Sequence, residues 1–122
     1  MTERRLLVVE DDPDGQELLT RMLRYHHISF DVVFDGESAI DLLEQQAYGG
    51  ALVDLALPGV DGFTLLNAIR NNPATANLPC VAMTAYHSAD LAVKAVEAGF
   101  RAYFPKPLDS TSFVQDLERV LG

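Results

Sequence analysis

Apolar residues along this chain fall into two alternating kinds of spacing. Three short runs rich in branched side chains, Leu6-Leu7-Val8-Val9, Ala51-Leu52-Val53 and Val81-Ala82-Met83, are too short for globular helices and read as buried parallel strands. Two further segments, Ser29 to Phe34 and Phe100 to Phe104, alternate more and predict strands nearer the sheet edges. Elsewhere the spacing turns helical: Leu18, Leu19, Met22 and Leu23; Ile40, Leu43 and Ala47; Phe63, Leu66 and Ile69; Ala92, Ala95 and Val96; then Phe113, Val114, Leu117, Val120 and Leu121. One helix is therefore predicted after each of five strands.

The residues between these segments agree. Asp12-Pro13 offers a helix cap followed by a first-turn proline, Asp35, Asp61 and Ser88 can cap later helices, and Gly99 can end the fourth. Strict strand and helix alternation implies right-handed crossovers and a parallel sheet with helices on both faces, the doubly wound α/β architecture. No repeat, linker or low-complexity stretch interrupts it. The last periodic helix reaches Leu121 and the sequence ends at Gly122, so a single domain over residues 1–122 is expected, without a second, effector domain.

Composition narrows the classes of partner. Nine basic against eighteen acidic residues give a net charge of −9, which repels nucleic-acid phosphate and anionic lipid. Direct DNA binding is not expected. The single cysteine, Cys80, lies in the apolar run Leu78 to Met83 and reads as a buried small hydrophobe in a reducing compartment. With neither a leader pattern nor an apolar run long enough for a bilayer, the chain is expected to be cytoplasmic.

Open parallel sheets bind ligands at the carboxyl ends of their strands, beside the point where strand order reverses. Strand one ends in Glu10-Asp11-Asp12, strand three in Asp54 and strand four in Thr84, and strand five is followed by Lys106. Carboxylates gathered at one edge repel each other unless positive charge sits among them. Oxygen-only ligands suit Mg²⁺, which keeps several waters and is commonly held by one or two carboxylates together with a phosphate. Lys106 adds a point charge, and Thr84 a hydroxyl, for phosphoryl oxygens.

Four motifs carry a resemblance: Leu7-Val8-Val9-Glu10-Asp11-Asp12, Val53-Asp54-Leu55-Ala56-Leu57-Pro58-Gly59-Val60-Asp61-Gly62, Met83-Thr84-Ala85 and Pro105-Lys106-Pro107. Each is weak alone; their order and placement at successive strand ends resemble the receiver domain of two-component response regulators, over essentially the whole chain. That resemblance implies a flavodoxin-like sheet in the order 2-1-3-4-5. It implies that Asp54 accepts a phosphoryl group from a phosphohistidine of a sensor histidine kinase or a phosphotransfer protein. Asp11 and Asp54 would bind Mg²⁺ directly, Glu10 through water and Ala56 through its carbonyl, with Mn²⁺ able to substitute. Lys106 would pair with the phosphoryl oxygens, Thr84 would move to hydrogen-bond them, and Tyr103 would turn into the vacated space. The surface of helix four, strand five and helix five would then meet an unnamed downstream protein, as a monomer or as a phosphorylation-dependent dimer. A cis bond between Lys106 and Pro107 is also implied.

Plainer readings exist for some of these residues. Asp12 is better read as a cap and Asp61-Gly62 as a turn and helix start. Thr84 ends a strand as threonines commonly do, and Tyr103 has an equal reading as a core aromatic. His26, His27 and His87 have no partner at metal-ligand spacing and are given no chemistry. Ala56 and Tyr86 occupy the two positions that tune phosphoryl lifetime in the family, and neither carries an acid or amide to orient water, so self-dephosphorylation is not expected to be fast.

Two other functions share this architecture. A flavodoxin-like cofactor binder would cradle FMN in a loop rich in Ser, Thr and Gly, where this chain has the acidic Glu10-Asp11-Asp12-Pro13-Asp14. A haloacid-dehalogenase-type phosphatase needs a second carboxylate two residues after the nucleophile, where Ala56 stands. The expected protein is thus a phosphorylated switch rather than a turnover enzyme.

Overall fold

Leu6–Val9 are buried on both faces, which only a central parallel strand requires, and the computed structural model, which describes residues 5–121, builds the sheet outward from them. The strands are β1 (Leu6–Val9), β2 (Phe30–Val33), β3 (Gly50–Asp54), β4 (Cys80–Thr84) and β5 (Ala102–Pro105), all parallel and in the order β2-β1-β3-β4-β5. The helices are α1 (Pro13–Tyr25), α2 (Gly36–Gln45), α3 (Gly62–Asn71), α4 (Ala89–Ala98) and α5 (Phe113–Leu121). Residues 1–4 and Gly122, the ends of the expected 1–122 domain, lie outside the described residues.

Alternation along the strands sorts side chains onto two faces. Leu7, Val9, Ala51, Val53, Cys80 and Ala82 meet α2, α3 and α4 on one side. Leu6, Val8, Leu52, Val81 and Met83 meet α1 and α5 on the other. The edge strands are only half-buried, and both are shorter or displaced relative to their sequence patterns: β2 spans Phe30–Val33 and β5 Ala102–Pro105. Their margins lack the double burial that makes a central strand's apolar run self-evident. Phe34 instead is 61% exposed, and Phe100 packs in the core just before β5 begins.

Each expected cap is in place: Asp12, Asp35, Asp61 and Ser88 accept backbone N–H bonds from the first turns of α1 to α4. Gly99 adopts φ 120° at the end of α4, where a side chain would be strained. Two helical expectations change. Ala47 lies beyond α2, which ends at Gln45. In α4 only Ala95 is buried, and Val96, expected to face inward, is as exposed as Val93. A helix that buries a single alanine sits lightly on the sheet.

Candidate functional site

The crossover from β2 to β3 passes over β1, so strand order reverses between β1 and β3, and the two acidic strand ends flank that point. Glu10 follows β1, its N–H bonded to Val33 O at 3.1 Å, and its side chain is buried at 1% exposure. Asp54 is the last residue of β3 and is also buried. Asp11 remains exposed. One carboxylate oxygen from each of Glu10, Asp11 and Asp54 lies within 4.8 Å of the others.

Lys106 enters from the far side. Its N–H bonds to Thr84 O at 2.8 Å as β5 gives way to a cis Lys106–Pro107 bond, as the resemblance implies. The ammonium donates to Asp54 Oδ2 at 2.8 Å and to Glu10 Oε1. Asp54 Oδ1 accepts from Ala56 N at 2.9 Å, and Glu10 Oε2 from Asp12 N at 3.1 Å. Burial pushes the Glu10 carboxyl up from 4.5 to about 6; the Lys106 hydrogen bond draws it down, and Asp54 alongside adds to the rise. Burial also disfavours the Lys106 ammonium, but hydrogen bonds to Asp54 and Glu10 outweigh it and hold its pKa above the ordinary lysine value.

One ammonium facing three carboxylates leaves the cluster short of positive charge. Hard oxygen donors this close, with Asp11 open to solvent so that waters can stay, fit a small oxygen-loving dication such as Mg²⁺. Among the described residues no second cationic side chain bonds to these carboxylates.

Thr84 ends β4 with its side chain buried at 1% exposure, and its hydroxyl accepts Tyr86 N at 3.0 Å. Tyr103 stands on β5 opposite Ala82 and packs against the cluster that holds Ala82. By strand alternation Thr84 belongs to the same face, so the two residues assigned to a switch share one side of the sheet. The Tyr103 hydroxyl lies 3.0 Å from Nδ1 of His87, which sequence reasoning left without any role.

Gly15 and Gln16 were not singled out, and Gly62 was read only as part of a turn and helix start. A Cβ on Gly15 would come within 3.0 Å of Glu10 Oε1, so glycine in the first turn of α1 leaves room for that carboxylate. The Gln16 amide donates to Glu10 O. A Cβ on Gly62 would lie 2.8 Å from Leu55 Cα and 2.9 Å from Asp54 O, so the close approach of α3 to the end of β3 needs a glycine there. Glycines at helix starts are a visible signal of close approach, but the pattern does not say to what.

Beside Lys106 a cleft of about 320 Å³ opens between α1 and the segment after β5, lined by Glu10, Gly15, Leu18, Met83 and Leu108 among others. A larger cavity of about 720 Å³, near Arg5, Tyr48 and Pro79, opens at the opposite edge of the sheet and holds none of these residues. No helix among the described residues is long and apolar enough to cross a membrane.

Comparison with known proteins agrees with this geometry. The chain is 33% identical over 115 residues to an uncharacterised 14.6 kDa protein from the sodA1 3′ region of Leptolyngbya boryana, covering 94% of this chain and 88% of that protein. It is 33% identical over 115 residues to the response regulator protein FleR of Pseudomonas aeruginosa, matching 94% of this chain but spanning 24% of FleR. It likewise spans 46% of the transcriptional regulatory protein TctD of Salmonella typhimurium, at 33% identity over 86% of this chain. Among solved structures, the receiver domain of sensor histidine kinase PA1611 of Pseudomonas aeruginosa PAO1, with a magnesium ion coordinated in its active-site cleft, superposes with a TM-score of 0.89 at 30% identity, covering 99% of both chains. A sensor protein from Polaromonas sp. JS666 gives a TM-score of 0.87 at 29% identity, covering 98% of this chain and 97% of that one. A family model described as the response regulator receiver domain matches residues 6–118, and on that match and this fold the chain belongs to the receiver-domain family of two-component signalling systems.

Proposed function

We propose that this domain takes a phosphoryl group from a phosphohistidine of a sensor histidine kinase or histidine phosphotransfer protein onto Asp54. The observation that carries the reading is the Lys106 ammonium 2.8 Å from Asp54 Oδ2, inside a cluster that also holds Glu10 and Asp11. A carboxylate oxygen of Asp54 attacks phosphorus, the phosphorus–nitrogen bond breaks, and its electron pair returns to the donor imidazole. The product is an acyl phosphate on Asp54.

Glu10, Asp11, Asp54 and the Ala56 carbonyl are the groups that would hold Mg²⁺, with Mn²⁺ as a substitute; when bound, the ion supplies positive charge for the phosphoryl oxygens. Lys106 exchanges its carboxylate contacts for a phosphoryl oxygen and so keeps its charge compensated. The Thr84 hydroxyl donates to another, giving up its bond from Tyr86 N. Tyr103 then turns inward, and the altered surface of α4, β5 and α5 meets a protein partner or a second copy. The exposed Val93 and Val96 of α4 supply apolar area for that contact.

With Ala56 in place of a second carboxylate, nothing at that position serves the acid-base step a phosphatase needs. The domain thus catalyses its own modification rather than turning over a substrate. Incubation with acetyl phosphate or phosphoramidate, with and without Mg²⁺, followed by intact-mass measurement, tests the reading. One phosphoryl adduct is expected, dependent on the metal and absent from Asp54→Asn. An adduct of equal yield without metal, or in that variant, would refute it.

A further inference from the structure

Away from the carboxylates, one polar contact joins the loop after β4 to β5. His87 Nδ1 and the Tyr103 hydroxyl are 3.0 Å apart, and the two rings are tilted by 41° with centroids 5.5 Å apart. Among the described residues, His87 is the only side chain hydrogen-bonded to that hydroxyl. The Tyr103 ring packs on the α2, α3 and α4 face of the core, whereas His87 is exposed, so the tyrosine's polar tip is drawn outward.

The same loop is tied to Thr84 at its other end. Tyr86, immediately before His87, donates its N–H to Thr84 Oγ1 at 3.0 Å. Successive residues of the loop thus reach both sides: the Tyr86 backbone rests on the Thr84 hydroxyl, and the His87 side chain touches Tyr103.

We propose that His87 is a positioning residue for Tyr103, holding the ring in its half-exposed place and releasing it when Thr84 lets go of the Tyr86 N–H. The inference rests on the function proposed above, and it names the link between the two switch residues. A Thr84 hydroxyl that turns toward a phosphoryl group on Asp54 withdraws the acceptor from Tyr86 N. The loop loses that anchor, His87 shifts with it, and the contact with Tyr103 opens. The resting contact therefore opposes the switched state, and its strength sets how readily the tyrosine turns.

Fluorine NMR of protein labelled with 3-fluorotyrosine follows the four tyrosines, with Tyr103→Phe assigning the resonance in question. The probe is beryllofluoride with Mg²⁺, a stable phosphoryl analogue. His87→Phe keeps an aromatic ring but has no hydrogen-bonding atom; His87→Asn carries both a donor and an acceptor and so can restore the bond for either imidazole tautomer. A hydrogen bond of ordinary net strength corresponds to a factor of roughly two to ten in the equilibrium. His87→Phe is expected to move the unliganded Tyr103 resonance toward its beryllofluoride-bound position and to tighten beryllofluoride binding by that factor. His87→Asn should return both readouts toward wild type, and His87→Phe should change nothing in a Tyr103→Phe background.

Unchanged affinity and resonance in His87→Phe would overturn the assignment, as would the same gain in the Tyr103→Phe background, which would place the histidine's effect elsewhere. A wild-type protein that binds beryllofluoride without any shift at Tyr103 would remove the switch itself, and this link with it. The three results are distinguishable because only the last is read in the unsubstituted chain.

Discussion

Glu10 bears the clearest physical tension in the molecule, and replacing it by glutamine tests the electrostatic account of the site. Burial raises its carboxyl from 4.5 to about 6, with Lys106 pulling against the rise and Asp54 adding to it. Because the folded value lies above the unfolded one, the stability gained from the protonated form is fully present below about pH 4.5 and is lost as pH rises through about 6. Above both values the loss amounts to about 2 kcal/mol for this 1% exposed side chain. Glutamine keeps the shape and an acceptor for Lys106, and its amide can donate toward Asp54. It forfeits one of the two carboxylate acceptors, which now receive Lys106 Nζ and Asp12 N, at a cost of about 1 kcal/mol. Urea unfolding in EDTA should therefore find Glu10→Gln more stable than wild type by about 1 kcal/mol near neutral pH, a midpoint shift of roughly 0.5 M. The advantage should shrink by about 1 kcal/mol on going down to about pH 5, where much of the wild-type penalty has been removed by protonation. Any advantage or deficit that stays constant with pH would refute the reasoning, because it would mean that Glu10 does not titrate against the fold in that range.

Mg²⁺ at about a hundred times its dissociation constant should stabilise wild type by about 2.7 kcal/mol, read as a rise in urea midpoint, with Asp11→Asn gaining much less at the same concentration. Gly62→Ala, whose new methyl would press on Leu55 and on the Asp54 carbonyl, should cost about 1–3 kcal/mol and slow phosphorylation of Asp54 by acetyl phosphate. The Cys80 thiol is buried and its pKa is pushed up to about 11 by that burial, so an alkylating reagent near neutral pH should label it only at the rate of unfolding, measured by mass against denaturant.

The residues that were legible in the sequence share a physical cause. Buried parallel strands write themselves as unbroken apolar runs, and a polar residue at the end of such a run has to emerge at one edge of the sheet. Glu10, Asp54 and Thr84 each terminate such a run, so right-handed crossovers alone bring them to a common edge. Lys106, one residue past the half-buried β5, ends no such run and was legible only from its place after the last strand, between Pro105 and Pro107. What the pattern could not convey is the state of these charges. Lys106 read as a cation for phosphate, whereas in the structure it is engaged with Asp54 and Glu10, and any incoming phosphoryl group must compete for it.

His87 was illegible for a different reason. It sits in a loop, where no periodicity constrains the side chain, and its partner Tyr103 lies on a half-buried edge strand where apolar and polar positions are not cleanly sorted. The pairing spans 16 residues and two different elements, so only the closed fold brings the two rings together. The same weak sorting explains α4: a helix that buries only Ala95 cannot announce which face it turns to the sheet, and Val96 was misassigned on that account. A lightly packed helix beside an edge strand has few contacts to lose when it moves, which is the physical requirement for a surface that must change at small energetic cost. Poor legibility and the proposed output face thus coincide for one cause, because sparse burial both blurs the sequence signal and lowers the cost of rearrangement.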